Sequence, residues 1–292
     1  MKIAVYGRQF NDMALPYAQK VFEVLAETDV EVYVPQDFHD FLSQKLPNFK
    51  YAILDKDKRL KGYIDMFFTL GGDGTLLDTV SVIKDSGIPV LGINFGRLGF
   101  LAVVNKGEIE GAIKSVLKGE YSIDSRTLMC ISSENDVFKD HNVALNDITF
   151  HKRDDSAMIT MHAYLNGEFL NTYWGDGIII STSTGSTAYS LSCGGPIIFP
   201  QSDTIVITPV SPHNLNVRPI VLPDSCTLSF EVETRSANYL ISCDSHTAVI
   251  DKNMKFEITK ATYDFNLVRL NNETYLNTLR TKLLWGLDAR NY

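Results

Sequence analysis

Apolar positions divide the chain into two textures that change near residue 126. In the first, residues 2–6 form a short strand-like run, and Ala18, Val21, Phe22 and Leu25 then recur at helical spacing. A β-branched run over 30–34 follows and stops at Pro35. This β-α-β order predicts a mainly parallel sheet. The theme repeats, with 63–70 (YIDMFFTL) as strand, 76–83 (LLDTVSVI) as helix and 89–93 as strand. Ile109, Ile113, Val116 and Leu117 mark one more helix, ended at Gly119.

The second texture is short alternation. Residues 158–173 alternate on either side of Asn166-Gly167, the dipeptide of a two-residue hairpin turn. Residues 227–232, 238–242 and 255–259 continue as strands, with Pro219, Pro223 and Asp224 between them. No Ser/Gly/Pro-rich linker and no internal repeat divides the halves, so close packing of the two is expected. At the end Tyr275, Leu276, Leu279, Leu283 and Leu284 share one helical face, and Gly286 ends it. That stripe needs burial, so the helix is expected to return to the first domain. The expectation is an α/β N-terminal domain with a mainly parallel sheet over 1–124, joined by 264–292. An all-β, sandwich-like antiparallel domain fills 125–263.

Length and composition narrow the function. The chain has 292 residues, about two domains. At 45% hydrophobic and 21% charged it is not a disordered sequence. With 27 Lys+Arg against 35 Asp+Glu the net charge is −8, which argues against nucleic acid as a partner. Six His and four Cys are scattered singly, with no CxxC or HExxH, so no protein metal site or disulfide framework is assigned. Reduced thiols place the chain in the cytoplasm. The opening run is too short for a signal-peptide core. Residues 177–202 carry no charge, yet their Ser, Thr, Gly and Pro rule out a membrane span.

Candidate chemistry lies at turns. Gly71, Gly72, Asp73, Gly74 and Thr75 follow a strand and open a helix, an arrangement that brings backbone N–H groups to phosphate. It is neither a P-loop nor GxGxxG. A carboxylate repels phosphate, so Asp73 is useful there as a base for an attacking hydroxyl or as a partner of Mg²⁺. The plainer alternative is a helix cap. A second Gly-rich turn runs from Asn94 to Phe100. Asn146-Asp147 offers groups for vicinal ribose hydroxyls, or a strand-end turn. Gly175-Asp176-Gly177 precedes another strand. Residues 181–192 (STSTGSTAYSLS) supply neutral donors and acceptors, with Tyr189 able to stack on a ring.

Taken in order, GGDGT, NFGRLGFLA, ALND, GDGIIISTSTGSTAYSLSCGGPI and SPHNLNVRPIVLP resemble the NAD kinase family across essentially the whole chain. GGDGT alone is shared with lipid kinases and, in variant form, phosphofructokinases. The resemblance implies transfer of the terminal phosphoryl of ATP to the 2′-hydroxyl of the adenosine ribose of NAD, with a divalent cation, Mg²⁺, brought by ATP. It implies Asp73 as the base, and Gly71, Gly72, Gly74 and Thr75 around the phosphates. Phe100, Asn146, Asp147, Asp176, Thr187, Ala188, Tyr189 and Ser192 would hold the dinucleotide. It also implies a homodimer or homotetramer. Two positions depart from many relatives. Trp174 stands where a basic residue is common, which would shift phosphate contacts toward Arg97, Lys152 or Arg153, and Asp244-Ser245-His246 replaces Asp-Gly-Gln. Two rivals stay open: a lipid or sugar kinase sharing only GGDGT, and a non-catalytic NAD(P)-binding sensor.

Overall fold

The computed structural model describes residues 1–55, 59–96, 99–153, 158–251, 254–270 and 274–285. The chain forms two compact units, Met1–Asp124 with Asn266–Tyr292, and Ser125–Phe265.

In the first unit the strands are β1 (Lys2–Gly7), β2 (Glu31–Pro35), β3 (Ala52–Leu54), β4 (Met66–Gly71), β5 (Val90–Asn94), β6 (Val104–Asn105) and β7 (Tyr121–Arg126). Between them run helices α1 (Leu15–Ala26), α2 (Gln36–Lys45), α3 (Asp73–Ile83) and α4 (Ile109–Leu117). Pairings from β3 through β2, β1 and β4 to β5 are parallel. Near-continuous burial of β4 and β5 is what a sheet covered on both faces requires. Ala18, Val21, Phe22 and Leu25 of α1 are all buried and join that core. Strand order reverses between β1 and β4, the switch point where open α/β sheets receive ligands. Gly7 pairs with Leu70, and Gly71 with Asn94, so the turns after β1, β4 and β5 crest together.

The second unit holds β8 (Met129–Ser133), β9 (Val143–Ala144), β10 (Asp147–His151), β11 (Ile159–Leu165), β12 (Glu168–Gly175) and β13 (Gly177–Thr182). After helix α5 (Tyr189–Ser192) come β14 (Thr204–Val210), β15 (Ile220–Pro223), β16 (Leu228–Glu233), β17 (Asn238–Cys243), β18 (His246–Asp251) and β19 (Lys255–Lys260). They make two six-stranded sheets, β15-β14-β13-β10-β17-β18 and β12-β11-β16-β19-β8-β9, with antiparallel pairings. Alternating burial in β11, β16 and β17 marks one face turned inward. Phe150 from one sheet meets Phe230 and Phe256 from the other, at ring centroids of 5.1 and 5.7 Å, so the sheets face each other across one core. Asn166 and Gly167 take positive φ, as the β11–β12 turn demands.

The chain then returns. Strand β20 (Phe265–Leu270) lies between β5 and β7 in the first sheet, and helix α6 (Tyr275–Leu283) follows.

Three expectations need correction. The strand read over 63–70 begins only at Met66, because the N–H groups of Tyr63 and Ile64 turn back to the carbonyl of Leu60. The helix read from residue 76 starts at Asp73, since its first turn carries little apolar pattern to read. In α6 the five-residue stripe is not buried as a whole. Leu279 is inside, whereas Leu276 and Leu284 are 46% and 63% exposed. The helix ends at Leu283 with Leu284 left-handed, and Gly286 lies outside the described residues. Among the described residues no helix is long and apolar enough to cross a membrane.

Candidate active site

At the crest of the parallel sheet, β4 ends in Gly71 at φ +154°, where a Cβ would overlap the Thr75 hydroxyl. Only glycine fits. Gly72 is extended, and no side chain caps α3. Thr75 and Leu76 donate their N–H groups back to the carbonyl of Gly72, at 3.0 and 3.2 Å. Asp73 and Gly74 thus open a helix N-terminus suited to an anion.

Asp73 is not the cap of its own helix. Its carboxylate crosses to the loop after β5, where Oδ2 accepts from Phe100 N–H at 2.8 Å. Oδ1 accepts from Leu101 N–H at 3.1 Å and Ala102 N–H at 2.9 Å. Gly99 passes so close that a Cβ would overlap Oδ1. An ionised carboxylate offers about four acceptor positions, so one remains. Phe100 is held in turn: Arg269 donates to its carbonyl at 3.5 Å, and Lys282 Nζ stands 5.8 Å from its ring centre. On the neighbouring strand end Arg8 grips Asp78 of α3 through Nε and Nη2. The Tyr6 hydroxyl donates to the same carboxylate at 3.2 Å, and burial together with that charge pushes its phenol up to about 12.

The second unit gathers Asn146 and Asp147 at the start of β10. Asp244, in the turn from β17 to β18, receives three successive main-chain N–H groups. Leu145 donates to Oδ2 at 2.7 Å, while Asn146 and Asp147 donate to Oδ1 at 2.9 and 3.0 Å. Asp244 N–H answers to the carbonyl of Asp147 at 2.9 Å. From the other side, Thr182 N–H reaches the carbonyl of Asn146 at 2.9 Å, and the Thr182 hydroxyl reaches that of Leu145 at 2.6 Å. Gly185 fits against the Asn146 backbone where any Cβ would overlap it. The main chain of Asn146 is committed on both edges, and its side-chain amide is what it can offer a ligand. Asp147 is buried and accepts from the Thr149 hydroxyl at 3.1 Å. Burial raises its carboxyl to about 6. Asp244 rises to about 7 through burial and the charge of Asp147, against the pull of its N–H donors.

The Ser/Thr run divides in two. Ser181, Thr182, Ser183, Thr184, Ser186 and Ser190 are buried. Ser183 donates to the carbonyls of Ser202 and Thr204, Ser186 to those of Ser183 and Ile198, and Ser190 pairs with Thr208 at 2.8 Å. Arg126 donates to the Thr184 hydroxyl at 3.1 Å. These hydroxyls bind the loop to its own protein. Thr187, Ala188, Tyr189, Leu191 and Ser192 form the half-buried or exposed remainder, with Tyr189 41% exposed. That separates a supporting set from a set open to a ligand.

Asp176 stands apart. β10 and β13 are antiparallel, with Asp147 opposite Ser181 and His151 opposite Gly177, so the two carboxylates occupy opposite ends of one ladder. Five residue steps along the strand separate them, about 17 Å. Asp176 pairs with Lys152 at 2.8 Å. Burial raises the phenol of Tyr189, with smaller contributions from Cys193 and from both acids. Lys152 is thereby committed, Arg153 donates to Asn238 at 3.2 Å, and Arg97 lies outside the described residues. Trp174 leans on His213, ring centres 4.3 Å apart. His246 stacks on His141 at 3.8 Å. Sequence reading gave no individual role to Gly99, Gly185 or Asp244, though it marked their segments, and it passed over Arg8. A cation directly after β1 was the one available signal for Arg8.

A Gly-rich strand-to-helix turn with a positioned acid at a switch point is an arrangement able to receive a phosphate-bearing ligand. Comparison makes the family plain. Residues 3–121 match the family model of the ATP-NAD kinase N-terminal domain and residues 145–270 that of the C-terminal domain. The NAD kinase of Cytophaga hutchinsonii is 46% identical over 294 residues, covering 100% of both chains. That of Bacteroides fragilis strain ATCC 25285 is 41% identical, covering 99% of this chain and 100% of its own. Among solved structures, yeast NADH kinase complexed with NADH superposes with a TM-score of 0.87 at 25% identity, covering 100% of this chain and 89% of that one. An Archaeoglobus fulgidus NAD kinase in complex with ATP gives 0.72 at 23% identity, covering 97% and 99%, a likeness of fold. The chain belongs to the NAD kinase family, a family of phosphotransferases. The rival readings gain no support.

Proposed function

We propose that the chain moves the terminal phosphoryl group of ATP to the 2′-hydroxyl of the adenosine ribose of NAD, giving NADP, with Asp73 as general base. One observation carries this reading. Asp73 is fixed by three N–H donors with about one acceptor position left, next to an uncapped helix N-terminus. Phosphoryl transfer depends on alignment and on spreading negative charge, so a rigid base beside an anion seat suits it. Gly71, Gly72, Gly74 and Thr75 shape that seat, and Arg8 adds the cation nearest in sequence to the β1 crest. Among the described residues no three His, Cys, Asp or Glu side chains converge on a metal position. In this reading a divalent cation, Mg²⁺, arrives with ATP and is held chiefly by its phosphates.

In the same reading Asn146 and Asp147 take the ribose hydroxyls, Tyr189 with Thr187, Ala188 and Ser192 receives ring and ribose, Asp176 reads the nicotinamide-side amide, and Phe100 lines the pocket. NADH in the yeast relative and ATP in the archaeal one are ligands of the same chemistry. A homodimer or homotetramer through the β domain, working in the cytoplasm with neither nucleic acid nor membrane as partner, completes the proposal. Purified protein with NAD, Mg²⁺ and ATP is expected to yield NADP, detected by a dehydrogenase that accepts only NADP. A folded protein giving none with ATP, another nucleoside triphosphate or polyphosphate overturns it.

A further inference from the structure

We propose that Asp244 is a positioning residue for dinucleotide binding, holding residues 145–147 so that the Asn146 amide and the Asp147 carboxyl meet the ribose; this rests on the reading that those two bind the dinucleotide. Register shows why a side chain is needed. The β10–β17 ladder ends with Ile148 opposite Cys243, so the chain before β10 has no strand partner on that side. Asp244 takes the place of the missing strand, collecting three N–H groups from residues 97–99 positions away in sequence. A neutral amide cannot do this, because Asn has one acceptor oxygen and its NH₂ would face a donor. Asp244 sits at φ +48°, where Asn or Gly is usual, yet a carboxylate occupies the turn beside another buried acid. Placing two acids together is costly, and a clamp that orients a binding segment accounts for it. The clamp leaves the Asn146 and Asp147 side chains free of the main-chain work. Its titratable neighbours are Asp147 and the buried thiol of Cys243, on which Cys130 also acts; His246, two residues on, stacks with His141.

The test compares Asp244→Asn with Asn146→Ala in initial-rate assays against both substrates. In Asp244→Asn the KM for NAD is expected to rise ~10-fold or more, with the KM for ATP changed less than ~2-fold. Asn146→Ala is expected to raise the KM for NAD as well. If Asn146→Ala does so and Asp244→Asn does not, the positioning role is overturned while the binding site stands. If neither raises it, the assignment of Asn146 fails first. Equal losses toward NAD and ATP reduce Asp244 to a fold element and overturn the proposal. Should the variant not fold, the wild-type protein decides. The amide signals of Leu145, Asn146 and Asp147 should titrate with one midpoint near 7, and saturating NAD should move that midpoint downward. Three unrelated midpoints, or one that NAD leaves in place, overturn it.

Discussion

Asp73 in the first unit and Asp244 in the second each collect three successive main-chain N–H groups, from residues 100–102 and 145–147. The local bonding is nearly the same, and the surroundings differ. Asp73 begins a helix whose N-terminus is uncapped and which glycines leave open. Asp244 sits in a β-turn, with a second buried acid whose charge it must tolerate. In the proposed function the first clamped carboxylate is itself presented to the reaction, whereas the second holds other residues that are proposed to meet the ligand. A constellation of bonds does not reveal a role until its neighbours are known.

The comparison breaks most easily at Asp73. Asp73→Asn is expected to cut turnover by at least ~10²-fold while the Kd for NAD stays near that of the wild type, by calorimetry. Near-normal turnover would make Asp73 a clamp like Asp244 and nothing more. Next comes Gly99→Ala, whose Cβ must displace the Asp73 carboxylate. Turnover should drop ~10-fold or more, with circular dichroism showing the fold retained. A wild-type rate would mean that the position of the carboxylate matters little.

A smaller effect sharpens the other half. Asp147 and Asp244 have carboxyls raised to about 6 and about 7. An unfolded Asp titrates near ~3.9. Between roughly pH 4 and 7 the native state therefore holds more protons than the unfolded one, and this contribution to stability falls as pH rises through that window. Asp147→Asn should flatten the decline of Tm with pH, measured by thermal scans. An unchanged slope would show that Asp147 is not desolvated. The smallest effect is expected at Tyr189. Tyr189→Phe should change the KM for NAD less than ~3-fold and Tyr189→Ala more, because the ring and not the hydroxyl offers contact area. Equal effects would count against ring contact.

What could be read beforehand was mostly local. The Asn166-Gly167 hairpin, the helix from Ala18 to Leu25 and the strand-to-helix glycine turn all announce themselves within a few residues. The partners of Asp73 lie 27–29 residues downstream and those of Asp244 almost a hundred upstream, and one sequence carries no signal for such pairings. Composition also could not sort the hydroxyls of 181–192. Which of them turn inward depends on how the loop folds back over β13, with Ser190 reaching Thr208 and Ser183 reaching Ser202 and Thr204. Tyr63 and Ile64 look like strand, but local turn bonds to Leu60 claim their N–H groups first.

The late return of β20 also sets an order of events during synthesis. The first sheet needs residues 265–270 between β5 and β7, so it cannot close until nearly the whole chain has left the ribosome. The second unit is continuous in sequence and has all its strands earlier. The half made first is thus finished last, and until then the flank of β5 around Val90, beyond the short pairing with β6, waits as an open edge, a template for wrong pairing.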